Sequence, residues 1–273
     1  MKSILILTDF SKTATNAIHY AMRFFESEPC VFHLMHVHKA GSFISDDLMT
    51  SSTANIYDSF TKVPKKKLIS LFEDLKDTYK NPKHSFEVHV DFDVFTDAVI
   101  QAIDQNSVDY VVMGSNGQTG AAEVIFGSNT INVIRQVICK TLVVPEGYKF
   151  KPISNFLLPL QFDDIIEPET LKVINDIVSN FKVKLHVLRA SKKEDATHLI
   201  KNDQETLKSF DYKYSIEEET TFYNAVTQYI DTNTIDMTGL IVHDKSFLKR
   251  LFTESPTLEL SKVIKLPLMI LHS

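Results

Sequence analysis

The chain has 273 residues, 44% of them apolar and 23% charged, with a formal net charge of −6; this is the balance of a globular protein with room for two ordinary cores, not of a disordered chain. The only basic block, Lys65-Lys66-Lys67 after Pro64, reads as the solvated start of a helix, which argues against nucleic acid, and no apolar run approaches the ~18 residues of a membrane span. Cys30 and Cys139 lack a CxxC pattern or a His partner at ligand spacing, and the run Ile4-Leu5-Ile6-Leu7 turns polar at Asp9 too soon for a signal sequence, so the chain is expected in a reducing, cytoplasmic compartment.

In chain order, Ile4-Leu5-Ile6-Leu7 has the continuous apolar character of a parallel strand covered on both faces, and Asp9-Phe10-Ser11 can cap the helix after it. Ala17, Ile18, Ala21, Phe24 and Phe25 then fall three and four apart on one helical face. A second strand over 31–37 leads into a polar stretch, 39–62, with no clear period, read as a loop that could close over a site. Leu68, Leu71, Phe72 and Leu75 mark an amphipathic helix, and Phe86, Val88, Val90 and Phe92 alternate as a half-buried strand does. Phe95, Val99, Ala102 and Ile103 form a third helical face. A fourth strand over 110–113, a glycine-rich stretch, a helix through Val137 and the strand Thr141-Leu142-Val143-Val144, closed by Pro145, complete a βαβαβαβαβ order. Short connections in that order predict a doubly wound parallel sheet.

The pattern then begins again. Phe156-Leu157-Leu158-Pro159-Leu160-Gln161-Phe162-Asp163 has the shape of residues 4–11, with Gln161 in the place of Asp9. His186-Val187 echoes His36-Val37, Asn224-Ala225-Val226 echoes Asp97-Ala98-Val99, Leu240-Ile241-Val242 matches Val111-Val112-Met113, and the run ending Leu268-Met269-Ile270 matches the one ending Leu142-Val143-Val144. The offset between copies falls from 152 to 126, so the second copy is about 26 residues shorter. Most of the loss is expected in 39–62 and a few residues in the glycine stretch. Two tandem α/β domains follow, 1–146 and 151–273, paired through their last strands so that neither apolar edge is left open.

The glycines carry the functional signal. The chain has seven, and Gly114, Gly117, Gly120 and Gly127 all fall within 111–130. Glycines after a buried strand permit positive φ and let a ligand reach the backbone without a Cβ in the way, or they simply make a turn. Ser128, Asn129 and Thr130 stand at the start of the next helix and offer hydroxyls and an N-cap. Strand, glycine loop and helix N-terminus together form a candidate phosphate cradle.

The spacing Gly114-x2-Gly117-x9-Gly127-Ser128 resembles the nucleotide-binding branch of the universal stress protein family, whose signature is G-x2-G-x9-G followed by Ser or Thr. Asp9 at the end of the first strand fits the same pattern. The resemblance implies the Rossmann-like, adenine nucleotide alpha hydrolase-like fold and an ATP, ADP or AMP site, with Mg2+ accompanying ATP. Asp9 and the Val37 region would lie near adenine and ribose, Met113 and Gly114 beside the ribose, and Gly117, Gly127, Ser128 and Asn129 around the phosphates. Asp9 reads equally well as a plain helix cap. The family also implies homodimerisation and a role in the stress response.

The second copy has His243 at the place of Gly114, Thr253 at that of Gly127 and Glu254 at that of Ser128. Side chains block the approach there, and a carboxylate takes the phosphate position at a helix N-terminus, so this half is expected not to bind nucleotide. His36 and His38 alternate on a strand without a third ligand, and no metal site is expected. P-loop, dinucleotide and nucleophile-elbow motifs are all missing from the sequence. The only acids near a γ-phosphate would be Asp9 and Glu123, so the expectation is a binding module and not an enzyme, with slow ATP hydrolysis or a ligand-free scaffold as the alternatives.

Overall fold

β1 (Lys2–Leu7) carries Ile4, Leu5 and Ile6 with no solvent exposure, a condition a strand meets only when both faces of its sheet are covered. The computed structural model describes residues 1–38, 53–116, 126–161, 164–191, 196–218, 222–242 and 265–272. After β1 come α1 (Lys12–Phe24), β2 (Cys30–Val37), α2 (Thr53–Tyr79), β3 (His84–Asp91), α3 (Phe95–Asn106), β4 (Tyr110–Gly114), α4 (Ser128–Gln136) and β5 (Lys140–Val144). These strands are parallel and lie in the order β3-β2-β1-β4-β5. Ala17, Ile18 and Ala21 of α1 and Leu68 and Leu75 of α2 pack on the face of Ile4, Ile6, Phe32 and Leu34. Ala98 and Val99 of α3 and Val133 and Ile134 of α4 cover the other face, against Leu5, Val111 and Val143. Each valine, leucine, isoleucine or phenylalanine among them taken fully out of water contributes ~1.5–3 kcal/mol.

The same winding follows in β6 (Asn155–Leu160), α5 (Pro168–Phe181), β7 (Lys184–Ser191), α6 (Ala196–Thr206), β8 (Tyr212–Glu218), α7 (Phe222–Thr232), β9 (Met237–Val242) and β10 (Leu268–His272). Its strands lie in the order β10-β9-β6-β7-β8. β5 and β10 pair antiparallel, Leu142 opposite Met269, with Val143 opposite Leu268 and Thr141 opposite Ile270. One ten-stranded sheet results. The fold class is thus the expected α/β arrangement of two doubly wound halves. One apolar cluster runs under both, joining Phe24 and Phe25 to Phe156, Ile174 and Leu185, and the Phe24 and Phe181 rings meet at 4.8 Å. Among the described residues, no helix is long and apolar enough to cross a membrane.

A device repeated in both halves anchors the inner strands. The Asp109 carboxylate accepts the Ser3 N–H at 2.8 Å, and the Asp109 N–H returns to the Ser3 carbonyl. Asp236 does the same for β6, accepting the Ser154 and Asn155 N–H groups at 2.9 and 3.0 Å and donating its own N–H to the Asn155 carbonyl. Lys151 adds an ion pair to Asp236 at 2.8 Å. Burial pushes the Asp236 carboxyl up, but Lys151 and the two amides outweigh it and hold the pKa below the usual value.

Four readings of the sequence need correction. Helix α2 begins at Thr53 and runs through Pro64, so much of the supposed loop is helical and Lys65, Lys66 and Lys67 are exposed inside the helix, not at its start. Proline ordinarily ends a helix because it lacks an N–H and crowds the preceding turn; here Pro64 is buried on the inner side. The glycine stretch loses nothing in the second half: a 30-residue step separates Val111 from its partner Thr141 and Thr238 from its partner Leu268. The whole loss lies between β2 and β3, where 46 residues intervene against 20 between β7 and β8. Finally, Ile6 pairs with Leu34 as Leu158 pairs with Val187, which sets His186 at the place of His33 and Arg189 at that of His36. The letter match of His186 to His36 is an odd-numbered slip, and such a slip turns every side chain to the wrong face.

Candidate functional site

The chain reverses its direction of winding between β1 and β4, and the crevice beyond the carboxyl ends of two such strands is where open α/β sheets hold ligands. On the β1 side, the Thr8 N–H donates to the Met35 carbonyl at 2.9 Å. Half-buried Asp9 accepts the Ser11 N–H on its Oδ1 at 3.0 Å. Ser11, not Asp9, is the N-cap of α1, its Oγ accepting the Ala14 N–H at 3.1 Å. Between them Phe10 takes φ 62°, the left-handed region that side chains avoid. The bend is held by the Phe10 N–H donating to Thr8 Oγ1 at 3.0 Å and by the Phe10 ring lying 4.7 Å from that of His36.

His36 closes the β2 side. Its Nδ1 lies 2.8 Å from the Thr8 carbonyl, which can only accept, so Nδ1 carries the proton. Burial lowers its pKa, more than the Thr8 bond raises it, so the ring is neutral with Nε2 as acceptor. Val37 follows, half-buried. Phe10 borders the crevice but escaped the functional reading of the sequence, where a bulky residue at a strand-to-helix bend is the signal that could have found it; His36, weighed there only as a metal ligand, borders it too.

On the β4 side, Met113 sends its side chain into the core, 5% exposed, so its backbone is what borders the crevice. Gly114 is bare for a packing reason: a Cβ there would stand 2.7 Å from Thr13 Cγ2 and 3.2 Å from the Thr13 backbone. Helix α1 therefore rests directly on the end of β4. The Gly127 N–H donates to the Ser115 carbonyl at 2.9 Å, and Thr130 Oγ1 donates to the Gly114 carbonyl at 3.1 Å. These bonds bring the start of α4 to the end of β4. Gly127 is the N-cap, with φ −61° and no side-chain cap, so positive φ does not explain this glycine, and neither Ser128 nor Asn129 caps the helix. Both are exposed. Ser115 Oγ and Asn116 Oδ1 are buried and find no partner among the described residues. Gly117, Gly120 and Glu123 lie outside the described residues.

The matching crevice of the second half is filled. Arg189, at the place of His36, is fully buried. Its Nε and Nη2 donate to the two oxygens of Asp203 at 2.6 and 2.8 Å, Nη1 to the Gln161 carbonyl at 2.7 Å and Nη2 to the Asp164 carbonyl at 3.0 Å. Tyr214 bonds both Arg189 and Asp203. His243, Thr253 and Glu254, on which the sequence argument for this half turned, lie outside the described residues.

The universal stress protein family profile matches residues 1–145. A universal stress protein of Methanocaldococcus jannaschii is 28% identical over 153 residues, 52% of this chain and 94% of the relative. The solved structure of a universal stress protein from Archaeoglobus fulgidus superposes with TM-score 0.75 at 14% identity, covering 99% of this chain and 98% of its own. The crystal structure of a putative universal stress protein from Pseudomonas aeruginosa gives TM-score 0.60 at 11% identity, with 100% of this chain and 93% of its own covered. At these identities the two structures speak to the fold alone.

Proposed function

Since the chain belongs to the universal stress protein family, we propose that its first half, 1–146, binds an adenine nucleotide in the crevice between β1 and β4 and serves as a stress-response module, while the second half, 151–273, does not bind nucleotide. The observation that supports this most is the first turn of α4, which has no side-chain cap among the described residues and is set by the Gly127 and Thr130 bonds against the bare end of β4. The first N–H groups of a helix lack internal partners, and with the helix dipole they favour an anion. Gly117, Gly127, Ser128 and Asn129 would surround the phosphates, Met113 and Gly114 would border the ribose, and Asp9 and Val37 would face adenine and ribose. Mg2+ would accompany ATP. In the second half each nitrogen of the Arg189 guanidinium group donates to protein, and with Asp203 beside it the group is committed to the fold and not to a phosphate. The two units would pair through β5 and β10, and two chains would associate as homodimers.

The test is mass spectrometry of nucleotide released from the purified, heat-denatured chain, with thermal shift in ATP, ADP and AMP. Ligand at about 100 times its Kd adds ~2.7 kcal/mol to stability, a shift of several degrees. Gly127→Val is expected to abolish that shift by placing a branched side chain where the phosphate would sit. A chain that releases no nucleotide and shows no shift at millimolar concentrations would refute the assignment.

A further inference from the structure

Strands β2 and β3 bring together three side chains that the nucleotide site does not use. His33 and Glu87 are paired across the strands, and His89 is paired with Met35, so His33, Glu87 and His89 share one face of the sheet. Their ligand atoms converge: His33 Nδ1 lies 3.0 Å from His89 Nε2 and 3.3 Å from Glu87 Oε2, and His89 Nε2 lies 3.8 Å from the same oxygen. We propose that His33 Nδ1, His89 Nε2 and Glu87 Oε2 form a binding site for one divalent transition-metal cation of the zinc class, with solvent water as the fourth ligand.

Three arguments carry it. Ligand distances of about 2.0–2.2 Å in a tetrahedron require ligand-to-ligand edges of about 3.3–3.6 Å, and the three observed separations bracket that range. The ligand set of two imidazoles and a carboxylate suits zinc and leaves a position open, while the side chains run from 5% exposed at His33 through 31% at His89 to 56% at Glu87, so water reaches one side only. The proton economy also fits a cation. One proton shared between the ring nitrogens satisfies that pair and leaves the Glu87 oxygen facing acceptors, whereas a cation satisfies all three atoms at once.

The second half supplies an internal contrast. His186 occupies the place of His33, but Lys213 and Ser215 stand where Glu87 and His89 do. There His186 is satisfied otherwise, Nδ1 with the Tyr229 hydroxyl at 2.9 Å and Nε2 with Asn155 Oδ1 at 3.1 Å. The fold therefore tolerates a histidine at this position without the cluster, and the two further ligands in the first half are not required by the sheet. Since β3 is the edge strand, a bound cation would staple the edge to β2.

The experiment uses the untagged full chain, stripped by chelator and free of nucleotide, titrated with Co2+ and then Zn2+. One Co2+ per chain with the visible d–d absorption of a tetrahedral N/O site, its displacement by Zn2+, and a rise in Tm with Zn2+ are expected. His89→Ala should lose the stoichiometric spectrum while keeping the metal-free Tm and far-UV circular dichroism. Glu87→Gln, on an exposed side chain, should weaken binding and alter the spectrum, and it decides the matter if His89→Ala fails to fold. Gly127→Val should bind Co2+ as the parent chain does, which separates this site from the nucleotide site. A parent chain without the spectrum, or a folded His89→Ala chain or a Glu87→Gln chain whose spectrum and affinity are unchanged, overturns the proposal.

Discussion

Gly114 and Gly127 are both glycines of the motif, yet different physics holds each. At Gly114 the hydrogen occupies space that any Cβ would contest with Thr13, part of it backbone that cannot swing away. Gly114→Ala is expected to push α1 off β4 at a cost of ~1–3 kcal/mol, read as a fall in Tm with no nucleotide present. At Gly127 the backbone is in an extended conformation open to any residue, so Gly127→Val should cost only ~1 kcal/mol through the poorer N-cap. Ligand-free Tm values that fall equally for the two variants would contradict this division. The glycine crowding was legible in the sequence because glycine is scarce in this chain, but which glycine answers to packing was not, since Thr13 lies about a hundred residues away and meets Gly114 only through the sheet.

At the scale of elements, the strands covered on both faces were legible because burial makes them continuous apolar runs. Helix α6 and strand β8 were not. Lys201, Asn202, Asp203, Gln204 and Glu205 form a run without an apolar residue, yet Asp203 is 1% exposed and anchors Arg189. A charge can be buried only with its partner, and the partner here is set by sheet register, which no local pattern reveals. That pairing makes a sharp forecast. Arg189→Met strands the Asp203 carboxylate in the interior and should cost ~3–5 kcal/mol, while the double change Arg189→Met with Asp203→Leu removes both charges and should recover much of the loss. Urea unfolding of both variants measures the difference. A double variant less stable than Arg189→Met alone would mean that the network contributes more through its bonds to Gln161, Asp164 and Tyr214 than it loses in desolvation.

Across the whole molecule, histidines tie stability to pH. Burial lowers the pKa of His19, His33, His36, His89, His186 and His272, aided at His33 by His89, at His36 by His38 and Lys67, and at His186 by Lys213 and Lys184. Each is neutral in the folded chain under conditions where the unfolded chain, titrating near the ordinary 6.5, already holds a proton. The unfolded state then binds more protons, and stability must rise with pH through that interval. The stabilisation is complete above about pH 7 and is lost as pH falls from about 6.5 toward the lowered folded-state values. Asp236, whose pKa is lowered too, loses its contribution only in stronger acid, below the ordinary carboxylate value of 3.8. Because the six histidines lie in both halves, and one core cluster joins those halves beneath the β5–β10 junction, unfolding should remain a single transition whose midpoint drops between about pH 7 and 5. Thermal unfolding in chelator across that range checks it. A flat midpoint would show that the buried rings relax to water on protonation, and two separating transitions would show that the junction does not couple the halves.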